Sequence, residues 1–171
     1  IVTQNAPSSW QKATTVTTNE DAELMDFKLL GTDAQPVTCL ESETPLTVEY
    51  AIRLRKVFDR PAFGLIVRDR IGRSIFETST YSMGMAESPI GAGSTVVVRF
   101  VFNFNLRAGQ YSFSVGVANR GFSRSEFEEY SLLMHDVEQI QVIESSNAIF
   151  YGGIFNMNPA ATVEIIEECH V

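Results

Sequence analysis

Leu46-Thr47-Val48-Glu49-Tyr50-Ala51-Ile52-Arg53-Leu54-Arg55 alternates without interruption. Leu46, Val48, Tyr50, Ile52 and Leu54 fall on one side, and Thr47, Glu49, Ala51, Arg53 and Arg55 on the other, which is the period-two pattern of a strand with one buried face. Downstream, Phe63-Gly-Leu-Ile-Val-Arg68 and Ser74-Ile-Phe-Glu-Thr78 flank Asp69-Arg-Ile-Gly72. That arrangement predicts a hairpin in which Gly72 supplies the positive φ of a tight connection. Thr95-Val-Val-Val-Arg-Phe-Val-Phe-Asn-Phe104 is apolar on both faces and rich in β-branched and aromatic residues, so it predicts a central strand or part of an interface. Further on, Tyr111, Phe113, Val115 and Val117 alternate with Ser112, Ser114, Gly116 and Ala118, giving one bulky face and one nearly bare one. The segments Tyr130–Leu133, His135–Ile143, Ile149–Asn156 and Thr162–Ile166 complete a series of about nine or ten strands from Leu24, with turn residues every 8–12 positions or so. No long amphipathic helix interrupts it. The fold class is all-β, an immunoglobulin-like antiparallel β-sandwich; a jelly roll has a similar strand count.

At 171 residues the chain accommodates one domain that buries a core without disulfides or a structural metal. Residues 1–21, rich in Thr, Ser, Asn and Gln with Trp10 and Val16 as isolated apolar points, read as a polar linker or arm, and 22–171 as the sandwich. Trp10 is expected to anchor the arm on the domain or to serve as an aromatic platform. Thirteen Lys and Arg against 21 Asp and Glu give a net charge of −8, which argues against a nucleic-acid partner. The longest apolar stretch, near Ala148–Phe155, contains two glycines and falls far short of the ~20 residues that span a bilayer. Cys39 and Cys169 do not make a disulfide framework. The chain opens at Ile1 with no leader-like pattern, as an excised fragment or processed product would.

Catalytic signatures are missing: the sequence has no H-E-x-x-H, no G-x-S-x-G and no G-x-x-x-x-G-K-[ST]. A glycosidase carboxylate pair among the 21 acids would be defined by a separation that spacing along a chain does not supply. The reading is a non-enzyme without cofactor. No calcium loop is present. His170, beside Glu167, Glu168 and Cys169, is expected to sit in a flexible terminus instead of a closed metal site, because adjacent strand residues point to opposite faces.

Several segments taken together resemble the C-terminal domain of Wzt, the nucleotide-binding subunit of bacterial ABC transporters that export lipopolysaccharide O-antigen. They are Pro45-Leu-Thr-Val-Glu-Tyr50, Pro61-Ala-Phe-Gly-Leu-Ile-Val-Arg-Asp-Arg-Ile-Gly-Arg-Ser-Ile-Phe76 with Thr78-Ser-Thr80, Ala108-Gly-Gln-Tyr-Ser-Phe-Ser-Val-Gly-Val117 and Phe150-Tyr-Gly-Gly-Ile-Phe155. The resemblance covers roughly Asp21 to Ile166. It implies a carbohydrate-binding module that recognises the non-reducing end of a finished O-antigen polysaccharide, often through a terminal modification, without bond chemistry. It also implies an N-terminal ATPase domain and a membrane subunit as partners, a homodimer with C-terminal strands exchanged in some members, and a cytoplasmic location at the inner face of the inner membrane. The alternative is a structural or dimerisation sandwich with no glycan site of its own, to which the two-sided apolar strand around Val97 and Val101 would be suited.

A sugar presents shallow apolar ring faces and many hydroxyls, so its site is expected to be a shelf with aromatic platforms and planar polar partners. The bare face at Ser112, Ser114, Gly116 and Ala118 is the expected binding surface. Strand neighbours should bring Ile66 and Arg68 to it, with Thr78, Thr80 and Tyr81 from the next segment and Asn119 and Arg120 at its end. The Arg68 fork would take a phosphate or carboxylate on the terminal sugar, or else pair with Asp69, Glu77 or a neighbouring strand. Arg68→Ala is expected to weaken binding and leave the fold intact. Tyr81 and Tyr130 either stack on a sugar or cap the core edge. His135, beside Asp136, is a ligand contact or a hydrogen-bonded strand-end residue.

Overall fold

The computed structural model describes residues 15–164 of the chain, and Trp10, Cys169 and His170 lie outside them. Nine strands and no helix occur among the described residues. They are β1 (Thr15–Thr18), β2 (Ala22–Leu30), β3 (Cys39–Glu41), β4 (Pro45–Leu54), β5 (Pro61–Asp69), β6 (Ser74–Ser79), β7 (Thr95–Asn103), β8 (Gly109–Phe122) and β9 (Glu126–Ile143). One sheet has the order β2-β4-β7; the other runs β1-β9-β8-β5-β6, with β3 also on β9. The all-β sandwich expected from the alternation is the fold observed. All pairings are antiparallel except β3 with β9, which is parallel.

The Leu46–Leu54 alternation maps directly onto packing. Leu46, Val48, Tyr50, Ile52 and Leu54 are buried against the second sheet, while Thr47, Glu49, Ala51 and Arg53 face out. Facing them across the sandwich are Leu65 and Val67 of β5, Phe113, Val115 and Val117 of β8, and Met134, Val137, Ile140 and Val142 of β9. Tyr50 stacks between Phe27 and Phe100 at centroid distances of 6.4 and 6.3 Å, and its hydroxyl donates to the Gly64 carbonyl at 3.0 Å. That bond crosses from one sheet to the other. Burial pushes the Tyr50 phenol well above its ordinary pKa, so the hydroxyl stays a neutral donor.

Several expectations change. Among the described residues β7 is an edge strand, not a central one: Val98 and Phe100 enter the core, whereas Val97 and Val101 on its other face are 50% and 70% exposed. The stretches Tyr130–Leu133 and His135–Ile143 belong to one long strand, β9, bent at irregularities opposite β8. Ile149–Asn156 is not a strand. It is an irregular strap held by Arg107 N–H on the Ile154 carbonyl (2.7 Å) and Asn156 N–H on the Asn105 carbonyl (3.0 Å). Its two glycines and lack of alternation limit it to a single antiparallel bridge, Phe155 with Leu106. Positions 162–164 are also outside any strand, and 165–166 lie beyond the described residues. Thr15–Thr18, within the polar arm, forms the short edge strand β1 on Leu132–His135.

The Asp69–Arg73 connection between β5 and β6 is the predicted hairpin. Gly72 has φ +81° and donates its N–H to the Asp69 carbonyl at 2.9 Å. The Asp69 carboxylate accepts the Ile71 and Arg73 N–H groups, which closes the turn.

Candidate functional site

On the outer face of the larger sheet, β5 and β8 present their small residues to each other. The register pairs Ala62 with Ala118, Gly64 with Gly116, Ile66 with Ser114 and Arg68 with Ser112. Strand alternation therefore puts Ala62, Gly64, Gly116 and Ala118 together as a floor that is mostly backbone. A Cβ built on Gly64 or Gly116 meets nothing closer than 3.6 Å, so neither glycine is required by crowding. Their effect is to leave space. Above them lies a trough of about 390 Å³, a volume within the range of small-ligand pockets.

The walls come from both flanking strands and one loop. Gly64 pairs with Ser79 and Ile66 with Glu77, which places Ser79 and Glu77 of β6 along one side. On the other side Leu133, Tyr130 and Phe127 rise from β9. Tyr130 packs edge-on against Phe127 at 5.7 Å, and Phe127 against Tyr81 at 5.5 Å. Tyr130 is 65% exposed, and no described residue takes its hydroxyl. An aromatic face with a free hydroxyl thus borders an open, small-floored slot. Ser82 and Ser125 add hydroxyls at the end near the β8–β9 turn.

The residues expected to form the site separate into three groups. Gly116, Ala118, Ile66, Thr78 and Tyr130 line the trough. Arg68, Ser112, Ser114 and His135 lie on the same sheet face, but Arg68 is four residues along β5 from Gly64, roughly 13 Å. There they form a closed polar network. Arg68 Nη1 sits 3.3 and 3.2 Å from the two oxygens of Asp136, and its Nε donates to the Gly72 carbonyl at 2.9 Å. The Ser112 hydroxyl donates to Asp136 at 2.5 Å, and Ser114 Oγ accepts the Asp136 N–H and lies 3.2 Å from His135 Nδ1. Of the two roles open to Arg68 from sequence, the structure displays the ion pair, with Asp136 of β9 and not with Asp69 or Glu77. Ser112 and Ser114, expected on an open shelf, are buried beneath this network.

Tyr81 also has a structural partner. Its hydroxyl donates to the Ser123 carbonyl at 2.9 Å, and its ring lies over Gly121, where a Cβ would come within 2.6 Å. It buttresses Phe127 and, through it, Tyr130. Asn119 is buried and fully engaged: its amide donates to Asp59 (3.0 Å) and Glu129 (3.3 Å), and its oxygen accepts the Arg60 N–H at 3.0 Å. Arg120 pairs with Asp59 at 3.0 Å. These residues clamp the end of β8 and leave no donor of Asn119 for a ligand.

Sequence reasoning overlooked Gly64, Ser79, Phe127 and Leu133, and took Glu77 only as a possible partner for Arg68. The first was legible, since Ala62, Gly64, Ile66 and Arg68 alternate with Phe63, Leu65 and Val67. Leu133 was not. Ala118 pairs with Tyr130 and Gly116 with Leu133, so the extra residue Ser131 brings two side chains three apart onto one face. Among the described residues no group of three His, Cys, Asp or Glu side chains is placed to hold a metal.

The Wzt C-terminal domain family model matches residues 14–156. Among solved structures, the crystal structure of the C-terminal domain of Wzt superposes with a TM-score of 0.79 at 13% identity, covering 96% of this chain and 100% of that one. A Niemann-Pick type C2 protein from Japanese carpenter ant is similar with a TM-score of 0.48 at 7% identity, covering 77% and 97%. The comparison with curated proteins gives no match. With the family match running through all nine strands and the sandwich superposing over nearly its whole length, this chain belongs to the Wzt C-terminal domain family.

Proposed function

We propose that the chain is a carbohydrate-recognition domain that binds the non-reducing terminus of an O-antigen polysaccharide in the trough over Gly64 and Gly116. The observation that carries this reading is the pairing of a backbone floor with an exposed aromatic wall: a pyranose ring can settle against Tyr130 and reach strand backbone that any larger side chain would cover. The mechanism is selection without chemistry. A chain with the correct end engages the trough and becomes competent for export, and the hydrolysis that drives export belongs to an ATPase domain N-terminal to this one, working with a membrane subunit at the cytoplasmic face of the inner membrane. Each sugar hydrogen bond replaces one to water and contributes only about 0.5–1.5 kcal/mol, so single-site affinity is modest. A homodimer would raise it by holding two sites together.

Isothermal titration with O-antigen fragments that keep or lack their native terminal residue tests the reading. Binding is expected only with the terminus present. Gly116→Val is expected to weaken it by about tenfold or more, because a branched side chain fills the floor. The melting temperature should hold, since the added Cβ meets only the Leu132 carbonyl oxygen at 3.6 Å and Leu133 Cδ1 at 3.9 Å. Equal affinity in wild type and variant would move the site elsewhere.

A second reading, a dimerisation module lacking a glycan site, draws on the exposed Val97 and Val101 of edge strand β7. A stable dimer by sedimentation together with silence toward every fragment would favour it.

A further inference from the structure

Resting on the trough as the glycan site, we propose that Glu77 is its charge filter: the trough takes neutral sugar ends, including those carrying a methyl-sized apolar group, and rejects phosphate, sulfate and uronate ends.

Among the described residues the fold leaves a single formal charge in the lining of the trough. Glu77 stands on β6 opposite Ile66, exposed, and it is the sole formally charged side chain lining the cavity among the described residues. No described residue forms an ion pair with it. The other lining side chains carry hydroxyls, among them Ser79, Ser82, Ser125 and Tyr130, or are apolar, as Leu133 and Phe127 are. A sugar suits such a set. The carboxylate accepts hydrogen bonds from hydroxyl pairs, which are stronger than neutral ones, and the apolar wall takes a methyl or deoxy position.

None of the neighbouring cations lines the trough among the described residues. Arg68 is only 22% exposed, fixed to both oxygens of Asp136 and to the Gly72 carbonyl. Its guanidinium fits there because Gly72 has no Cβ, which would lie 2.8 Å from Nη2. Arg120, two residues beyond Ala118 on β8, is bound to Asp59 and does not line the trough. Arg124, next to Ser125 in the β8–β9 turn, accepts the Ser82 hydroxyl with its carbonyl at 3.4 Å, while its side chain does not line the trough. An anion entering the slot therefore meets Glu77 with no cation in the lining, in a chain of net charge −8. Repulsion of that kind discriminates between partners without adding affinity for the right one.

The test uses an array of bacterial oligosaccharides printed as matched pairs that differ only in the non-reducing residue: hexose, 6-deoxyhexose or O-methyl hexose against hexose phosphate or hexuronate. Neutral ends are expected to bind about tenfold better than their anionic partners at roughly 20 mM salt, with the gap narrowing near 0.5 M because the interaction is screened. Glu77→Gln should close most of the low-salt gap by admitting the anionic ends, and Arg124→Ala should leave it unchanged. Stronger binding of anionic ends by wild type, a gap insensitive to Glu77→Gln, or anionic binding that needs Arg124 overturns the filter. Failure of the site itself looks different: Gly116→Val then leaves every signal intact, or no oligosaccharide binds at all, and both proposals fall together.

Discussion

Two glycines of this chain are fixed by the side chains that lie over them. Gly121 receives the Tyr81 ring, and Gly121→Ala would drive a methyl group to within 2.6 Å of it. The ring must move, and with it the Phe127 and Tyr130 contacts that form the aromatic wall. Overpacking of this kind is expected to cost about 1–3 kcal/mol, measurable by urea denaturation, and to weaken glycan binding in the same variant. Gly72 similarly admits the Arg68 guanidinium. Because Arg68 and Asp136 are 22% and 18% exposed, Arg68→Ala is expected to lower stability by about 1–2 kcal/mol, between an exposed and a buried pair. Affinity for neutral glycans should stay the same, in place of the weakening expected when Arg68 was read as a ligand contact. Titration and melting of the one variant separate these outcomes. From sequence, Arg68 had Asp69, Glu77 or a neighbouring strand as possible partners; a carboxylate 68 positions away was not readable, because pairing across β8 depends on where the β9 bulge puts Asp136.

Among the elements, β5 and β9 shape the site and β4 holds it. The Tyr50 hydroxyl on the Gly64 carbonyl ties the trough floor to the opposite sheet. Tyr50→Phe keeps the ring stack and removes that tie, so a loss of about 1 kcal/mol is expected, seen as a lower denaturation midpoint with an unchanged slope. Strands whose faces follow strict alternation were legible: β4, β5 and β8 point as their patterns predict, and with them the small-residue floor. β9 was not, because irregularities at Ser131 and at Asp136, where φ is +54°, shift its alternation twice within a few residues. β7 misled for another reason. A doubly apolar pattern describes composition, whereas central or edge position depends on which strands pair, and among the described residues β7 pairs only with β4.

The molecule as a whole is clasped at one end by charges drawn from four connections and strands. Lys56 bridges Asp21 and Glu129, and Asp59 holds Asn119 and Arg120. The Arg120 guanidinium keeps the Asp59 carboxyl below its usual pKa, and the Lys56 ammonium does the same for Glu129. Carboxyls depressed in the folded state bind fewer protons there than in the unfolded chain. Their stabilisation is present above the unfolded values near pH 4 and is lost as pH falls through the lower folded ones. Melting temperatures followed from neutrality to about pH 2.5 should decline most steeply below pH 4, and Glu129→Gln should flatten part of that decline. Such a clasp joins residues as far apart as Asp21 and Glu129, which no local pattern announces. Local order along the chain was sufficient for the class of fold, the hairpin at Gly72 and the bare strand faces, since alternation and turn chemistry act between near neighbours. Which strands lie at the edges, how β9 bends, and whether a charged group is spent on the fold or left for a ligand followed from contacts between distant segments. Those contacts exist only once the two sheets have closed on each other.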